Sequence, residues 1–214
     1  MEIRPVLLLA TAAAQAGLLV AVEIGFRRGV GPETTRRIAH AVGAVSVAPL
    51  PLFLRIPELV VLAGLFTGVL LVTHERRMLR SIHAIDRASV GALVFPAGLL
   101  LAILLGWHHV GAIAYAVLVL GLADPAAALV GARVKSVGWA VPGGHKTVAG
   151  SVTFGVFAAV IGALIGTVSG EPHVFAAIAA AALLTAIEGS LGYGLDNLPV
   201  PAVASVLGVI WLSL

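Results

Sequence analysis

Glu23, Asp124 and Glu188 fall within or at the ends of long apolar runs. An ionised carboxylate is costly in hydrocarbon, so each is a candidate for function. Glu23 closes its run and reads as an interface residue. Asp124 precedes Pro125. Asp favours the N-cap and Pro the first helical position, which predicts a broken helix that restarts over 125–134. Irregular backbone at that depth survives only against protein or a wet cavity. Glu188 opens EGSLGYGLDNLPVP, 188–201, in which Asp196 adds a second acid and Gly189, Gly192 and Gly194 allow backbone N–H groups to approach an anion. Asp196 or Asn197 is expected to cap the last helix.

Cations gather in matching places. ADPAAALVGARVKSVGWAVPGGHKTVAG, 123–150, carries Arg133, Lys135, His145 and Lys146 around a tight turn at Pro142, Gly143 and Gly144. Thr147 is placed to cap the helix that follows. A Walker loop is rejected, because His145 precedes Lys146 and no strand is expected before it. PETTRRIAHAVG, 32–43, sets Glu33, Arg36, Arg37 and His40 on one helix face, and HAIDRASVGALVFP, 83–96, offers Asp86, Arg87 and Ser89. Each segment alone reads as a topology-setting loop. Together they bring carboxylates, cations and glycine turns to one membrane surface, as a Mg²⁺–nucleotide phosphate site requires. His108, His109 and His173 lack metal-ligand spacing and read as interfacial.

The elements that must position these groups are helices. The 214 residues are 60% hydrophobic and 11% charged, against roughly a quarter charged in soluble domains. The expected fold is all-α: one polytopic membrane bundle over residues 1–214 with seven or eight spans and a broken fifth. The eight read as 5–22, 38–54, 57–73, 90–106, 109–131, 148–168, 173–189 and 198–214. The first run lacks a basic leader and a small-residue cleavage site, so it is retained as a helix. With these spans, 11 of the 13 Lys and Arg fall on one face, leaving Arg4 and Arg55 opposite. The positive-inside bias makes that face cytoplasmic and both termini external. The net charge of +3 is therefore a topology signal and not a sign of nucleic-acid binding. Cysteine is absent, which excludes disulfides and thiol catalysis.

The order of motifs resembles the CTP-dependent lipid-alcohol kinases: dolichol kinase, phytol and farnesol kinase, and the CTP-using diacylglycerol kinase. The likeness covers nearly the whole chain. It runs from Glu33-x-x-Arg36-Arg37-x-x-His40 through Arg87-x-Ser89-x-Gly91 and Phe95-Pro96 to Asp124-x-x-Ala127 with Gly131. Next come Gly143-Gly144-His145-Lys146-Thr147-x-x-Gly150-Ser151 and Glu188 followed by Gly194-Leu195-Asp196-Asn197-Leu198-x-x-Pro201, the most specific part. Family members often have Gly-Lys-Ser and a Glu before the last glycine, where this chain has His145-Lys146-Thr147 and Val148-Ala149. The Asp…Gly-Lys-Thr/Ser…Gly stretch is also similar to one in phosphatidate cytidylyltransferases, whose closing Gly-His-Gly-Gly and Asp-Arg region is absent here.

The resemblance implies transfer of the CTP γ-phosphate to a membrane isoprenoid alcohol of dolichol, phytol or geranylgeraniol type, giving a lipid monophosphate and CDP. Asp124, Glu188 and Asp196 would hold Mg²⁺, one of them serving as the base for the hydroxyl, with Lys146 as a fourth catalytic residue. Arg36, Arg37, His40, Arg87, Arg133, Gly143, Gly144, His145, Thr147 and Asn197 would bind nucleotide and phosphate. The partners implied are CTP and a lipid alcohol in the bilayer, with no nucleic acid; the oligomeric state stays open, a homodimer being one arrangement. Two other readings stand beside it. A cytidylyltransferase would release pyrophosphate, and a small cation- or proton-coupled transporter would use Asp124 and Glu188 as a relay.

Overall fold

The computed structural model describes residues 4–85 and 89–213. Proline punctuates the first half. Helix α1 (Pro5–Arg27) and α2 (Pro32–Val47) both start on proline, whose missing N–H costs nothing in a first turn. The expected span 38–54 is not one helix, because Pro49 and Pro51 end the ladder; α2 stops at Val47 and a 3₁₀ turn (Leu50–Leu52) follows. Helix α3 (Ile56–Glu75) begins where the Glu58 carboxylate accepts from the backbone N–H groups of Arg55, at 2.6 Å, and Arg4. Short α4 (Arg80–His83) and α5 (Gly91–Leu105) complete this half.

The fifth expected span does not break. Helix α6 (Val110–Leu118), a π-turn (Val119–Ala123) and α7 (Asp124–Arg133) form one helical run, and Asp124 itself has helical dihedrals of −64° and −50°. Pro125 lacks a donor and its ring crowds the carbonyl four residues back, so the ladder widens upstream and the chain stays helical. Asp124 is therefore not an N-cap.

A second correction lies in the glycine turn. Residues expected to form a loop instead make an antiparallel hairpin of β1 (Gly138–Val141) and β2 (Gly144–Thr147), with Trp139 opposite Lys146. Pro142 followed by Gly143, at φ +70°, supplies the dihedrals of a type II turn. Thr147 then caps α8 (Val148–Val168), its hydroxyl accepting from Gly150 N. A strand does precede this helix, yet Lys146 lies within the strand and not in a loop at the helix start, so no Walker geometry forms. Helix α9 (Val174–Ser190), a 3₁₀ turn (Leu195–Asn197) and α10 (Pro199–Trp211) end the chain.

The α6–π–α7 run lies at the centre. Tyr115, Ala116 and Val119 pack into one core with Phe154, Leu184, Val200 and Trp211, while Ile113, Val117 and Leu120 pack into another with Leu59, Leu62, Leu99 and Ile103. Half of its apolar window is buried inside the protein, against 6% for α1, which is peripheral. Among the described residues, four helices are long and apolar enough to cross a membrane: α1, α3, the α6–α7 run and α8. The apolar segments Gly91–Leu105, Val174–Ser190 and Leu195–Trp211 are shorter.

Candidate functional site

Asp124, Glu188 and Asp196 come from three different elements: the π-turn junction, the end of α9 and the 3₁₀ turn before α10. Each offers one carboxylate oxygen to a cluster in which these atoms lie within 4.8 Å of one another. Lys146 reaches into it from β2. Its ammonium donates to Asp196 Oδ2 at 3.0 Å and to Glu188 Oε1. Burial alone would lower the Lys146 pKa, but the charges of Asp196 and Glu188 outweigh it and hold the ammonium above its ordinary value. The hydroxyl of Ser151 stands 3.5 Å from Glu188 Oε2.

The π-turn gives Asp124 its surroundings. A π-turn withdraws carbonyls from the regular ladder, and Leu120 O is met by His40 Nε2 at 2.9 Å. A carbonyl only accepts, so Nε2 carries the proton. The same nitrogen lies 3.6 Å from Asp124 Oδ2, and the imidazole packs on Phe95 at 4.6 Å between centroids. Arg36, one turn before His40, donates to Ile82 O at 3.3 Å and Ser89 Oγ at 2.8 Å. Arg37 pairs with Glu33 at 3.8 Å.

Two loops close the cleft. Gly194, at φ +73°, passes so near the start of α5 that a Cβ there would meet Gly91 Cα at 2.7 Å. Val90 N donates to Tyr193 O at 2.8 Å and Asn197 Nδ2 to Gly91 O at 2.9 Å. Neither Asp196 nor Asn197 caps α10; the amide of Asn197 is committed to α5. The hairpin is fixed by Trp139 Nε1, which donates to Gly189 O at 2.8 Å, and its Gly143 turn lies under the Tyr193 ring.

The result is a cleft of about 300 Å³ lined by Arg36, Arg37, His40, Asp124, the hairpin, Glu188, Asp196 and Asn197. Gly143, Gly144, His145 and Thr147 also line it. Arg133 does not; it is exposed at the far end of α7. Arg87 and Asp86 lie outside the described residues.

Glu23 is more than an interface marker: it accepts from Ser81 N at 3.1 Å and from Arg27 at 3.2 Å. Two participants carry little sequence signal. Tyr193 is an ordinary residue between glycines, and the Leu120 carbonyl is visible only once the π-turn is known. Glu58 is a further acid within an apolar run, and its backbone partners give it a structural role at the start of α3. The three carboxylates are an oxygen donor set suited to a hard divalent cation, and the Lys146 ammonium beside them suits a phosphate. The chain matches no known protein family, no curated protein and no solved structure.

Proposed function

We propose that the chain is a polytopic membrane kinase that transfers the γ-phosphate of CTP to the hydroxyl of a membrane lipid alcohol, releasing CDP. The observation that carries this reading is the convergence of Asp124, Glu188 and Asp196 on Lys146. Four different elements deliver them to one end of the bundle. Phosphoryl transfer asks for little beyond positioning, charge neutralisation and a base for the attacking hydroxyl. Asp124, Glu188 and Asp196 would hold Mg²⁺, which when bound supplies charge neutralisation at the phosphates. Lys146, Arg36 and Arg37 add fixed positive charge beside it, and the Gly143–Gly144 turn lets backbone approach the phosphates closely. A carboxylate of the cluster takes the hydroxyl proton as the new P–O bond forms and the bond to CDP breaks. Selectivity for CTP rests on the family resemblance.

In this reading α2 with its 3₁₀ turn and the shorter α5, α9 and α10 join the four long helices to make eight spans. The face bearing Arg36, Lys146 and most other cations is cytoplasmic, where nucleotide is available, and both termini are external. The test is to incubate purified protein in lipid nanodiscs with γ-labelled CTP, Mg²⁺ and a panel of lipid alcohols and lipid phosphates. Label in the lipid with CDP as co-product supports the kinase. Pyrophosphate as co-product shifts the reading to a cytidylyltransferase, and absence of any nucleotide turnover across the panel defeats both.

A further inference from the structure

At the same end of the bundle, outside the lining of the cleft, arginines crowd one edge. Helices α1 and α3 lie side by side and point the same way. Arg4 N donates to Glu58 at their starts, and Ser81 N, just past the end of α3, donates to Glu23 near the end of α1. Both helices are long and apolar enough to cross a membrane, so both leave the hydrocarbon along this edge. The surface there changes character within about a turn. Ile24 on α1 and Leu71 and Val72 on α3 are exposed apolar residues. Arg27, Arg28, Arg76, Arg77 and Arg80 follow directly, all of them exposed. The acids on these stretches are Glu23, already bonded to Arg27 at 3.2 Å, and Glu75. Setting topology needs only the charge, yet here the charge is built into a fixed shape. Arg77 and Leu79 hold left-handed backbone, at φ +52° and +46°, which is unfavourable for a residue with a Cβ. Buried contacts lock the turn. Met78 N donates to Thr73 O at 2.8 Å and the buried Thr35 hydroxyl to Ser81 O at 2.7 Å, while the Arg80 guanidinium stands 5.5 Å over the Phe26 ring. Met78, between the two left-handed residues, is left 55% exposed among the arginines.

We propose that this edge is a docking site for an anionic phospholipid, with the headgroup phosphate on the arginines and the acyl chains along the apolar band. The meeting of the two surfaces names the occupant. A free anion would use the guanidiniums and gain nothing from Ile24, Leu71 and Val72. A neutral lipid would use the apolar band and leave the arginines without a partner of opposite charge. An anionic phospholipid satisfies both, because guanidinium donates to phosphate in charge-assisted, often bidentate hydrogen bonds. Clusters of about four to eight basic residues beside a membrane helix attract anionic lipid, each contributing about fivefold to association. The proposal needs α1 and α3 to span a membrane and is independent of the kinase reading.

The experiment uses full-length protein in phosphatidylcholine nanodiscs doped with phosphatidylglycerol that carries a photoactivatable diazirine on its headgroup. Label is expected on the end of α1 and on the turn between α3 and α4. Unlabelled phosphatidylglycerol should compete, and rising salt should weaken the labelling, because exposed charges are screened. Arg28→Gln, Arg76→Gln and Arg77→Gln together should cut labelling at least tenfold, three fivefold losses multiplying to about a hundredfold. These side chains are exposed, so the substitutions leave the contacts around Ser81 intact. Lys135→Gln removes an exposed cation after α7 and should leave the labelling unchanged. Water-soluble glycerol phosphate in excess should not displace the probe. Label elsewhere in the protein, or label untouched by the triple variant, would overturn the site. Equal losses from Lys135→Gln and from Arg77→Gln alone would overturn it too, by showing a diffuse field in place of a site. Displacement by glycerol phosphate would overturn the lipid as occupant and leave a site for free phosphate.

Discussion

Replacing Lys146 by Met tests the electrostatics of the cluster without reference to turnover. The side chains of Lys146, Glu188 and Asp196 are 18%, 6% and 11% exposed, so their attraction is poorly screened. At an effective dielectric of about 20, unit charges about 3 Å apart attract by roughly 5 kcal/mol before desolvation is counted. Removing one partner of a buried pair costs about 3–5 kcal/mol, because the remaining charge is left uncompensated. Lys146 borders an open polar cleft, which favours the lower figure of about 3 kcal/mol. For a chain of this size that corresponds to a fall in Tm of roughly 6–12 °C. The melt should be followed in EDTA by tryptophan fluorescence, since Trp139 is bonded to Gly189 beside the site. Mg²⁺ at about a hundred times its Kd should return some 2.7 kcal/mol to the variant, and adding Asp196→Asn should relieve the repulsion and recover much of the loss without metal. An unchanged melt for Lys146→Met, or a full-sized loss that neither Mg²⁺ nor Asp196→Asn relieves, would refute the account of three carboxylates balanced by one ammonium.

Other perturbations read different parts of the structure. Asp124→Asn, Glu188→Gln and Asp196→Asn should each lower the rate of lipid phosphorylation by about a hundredfold or more, as loss of a preorganised charge does, with elution from size exclusion unchanged. Gly143→Ala puts a Cβ at φ +70° against the Tyr193 ring; it should lower the melting midpoint and red-shift the Trp139 emission as the hairpin is displaced. Glu23→Ala removes the acceptor for Ser81 N and Arg27 and should cost about 1 kcal/mol, measured by thermal melt, while Glu23→Gln keeps an acceptor and loses less. A cysteine introduced at the exposed Lys135 should be labelled in inverted membrane vesicles and protected in intact cells, and labelling in intact cells would reverse the orientation.

Much of the site was legible because charge in an apolar sequence is conspicuous. Asp124, Glu188, Asp196, Lys146, Arg36 and His40 stand out against hydrocarbon, and a bundle that tolerates them must gather them at a polar place. The helical class followed from the same contrast. What was hidden depends on tertiary geometry. Asp-Pro is a helix-start signal in water, but at 124–125 the neighbouring helices keep the backbone helical and the proline is absorbed by a π-turn. GWAV and GHKT have no apolar alternation, so their pairing as a hairpin is decided by the Pro142–Gly143 turn and by Trp139 docking on α9. Arg133 reads like its neighbours in sequence, and only the direction of α7 carries it away from the cleft.

The π-turn has a consequence for how the central helix can change. A π-turn amounts to one residue more than an α-helix needs over the same rise. Each residue turns the helix by about 100°, so the extra one rotates everything after Ala123 relative to the face set by Tyr115 and Val119. Asp124 therefore faces the cleft because of a surplus residue. If the same residues wound as an unbroken α-helix, everything after the π-turn would advance by about 1.5 Å and Asp124 would swing roughly a quarter turn from His40, while the packing of α6 upstream kept its register. Deleting Leu122 as the ladder heals would instead leave Asp124 in place. The two ends of this helix are thus indexed separately, one to the hydrophobic cores and the other to the carboxylate cluster, and closing the π-turn between them changes the second without touching the first.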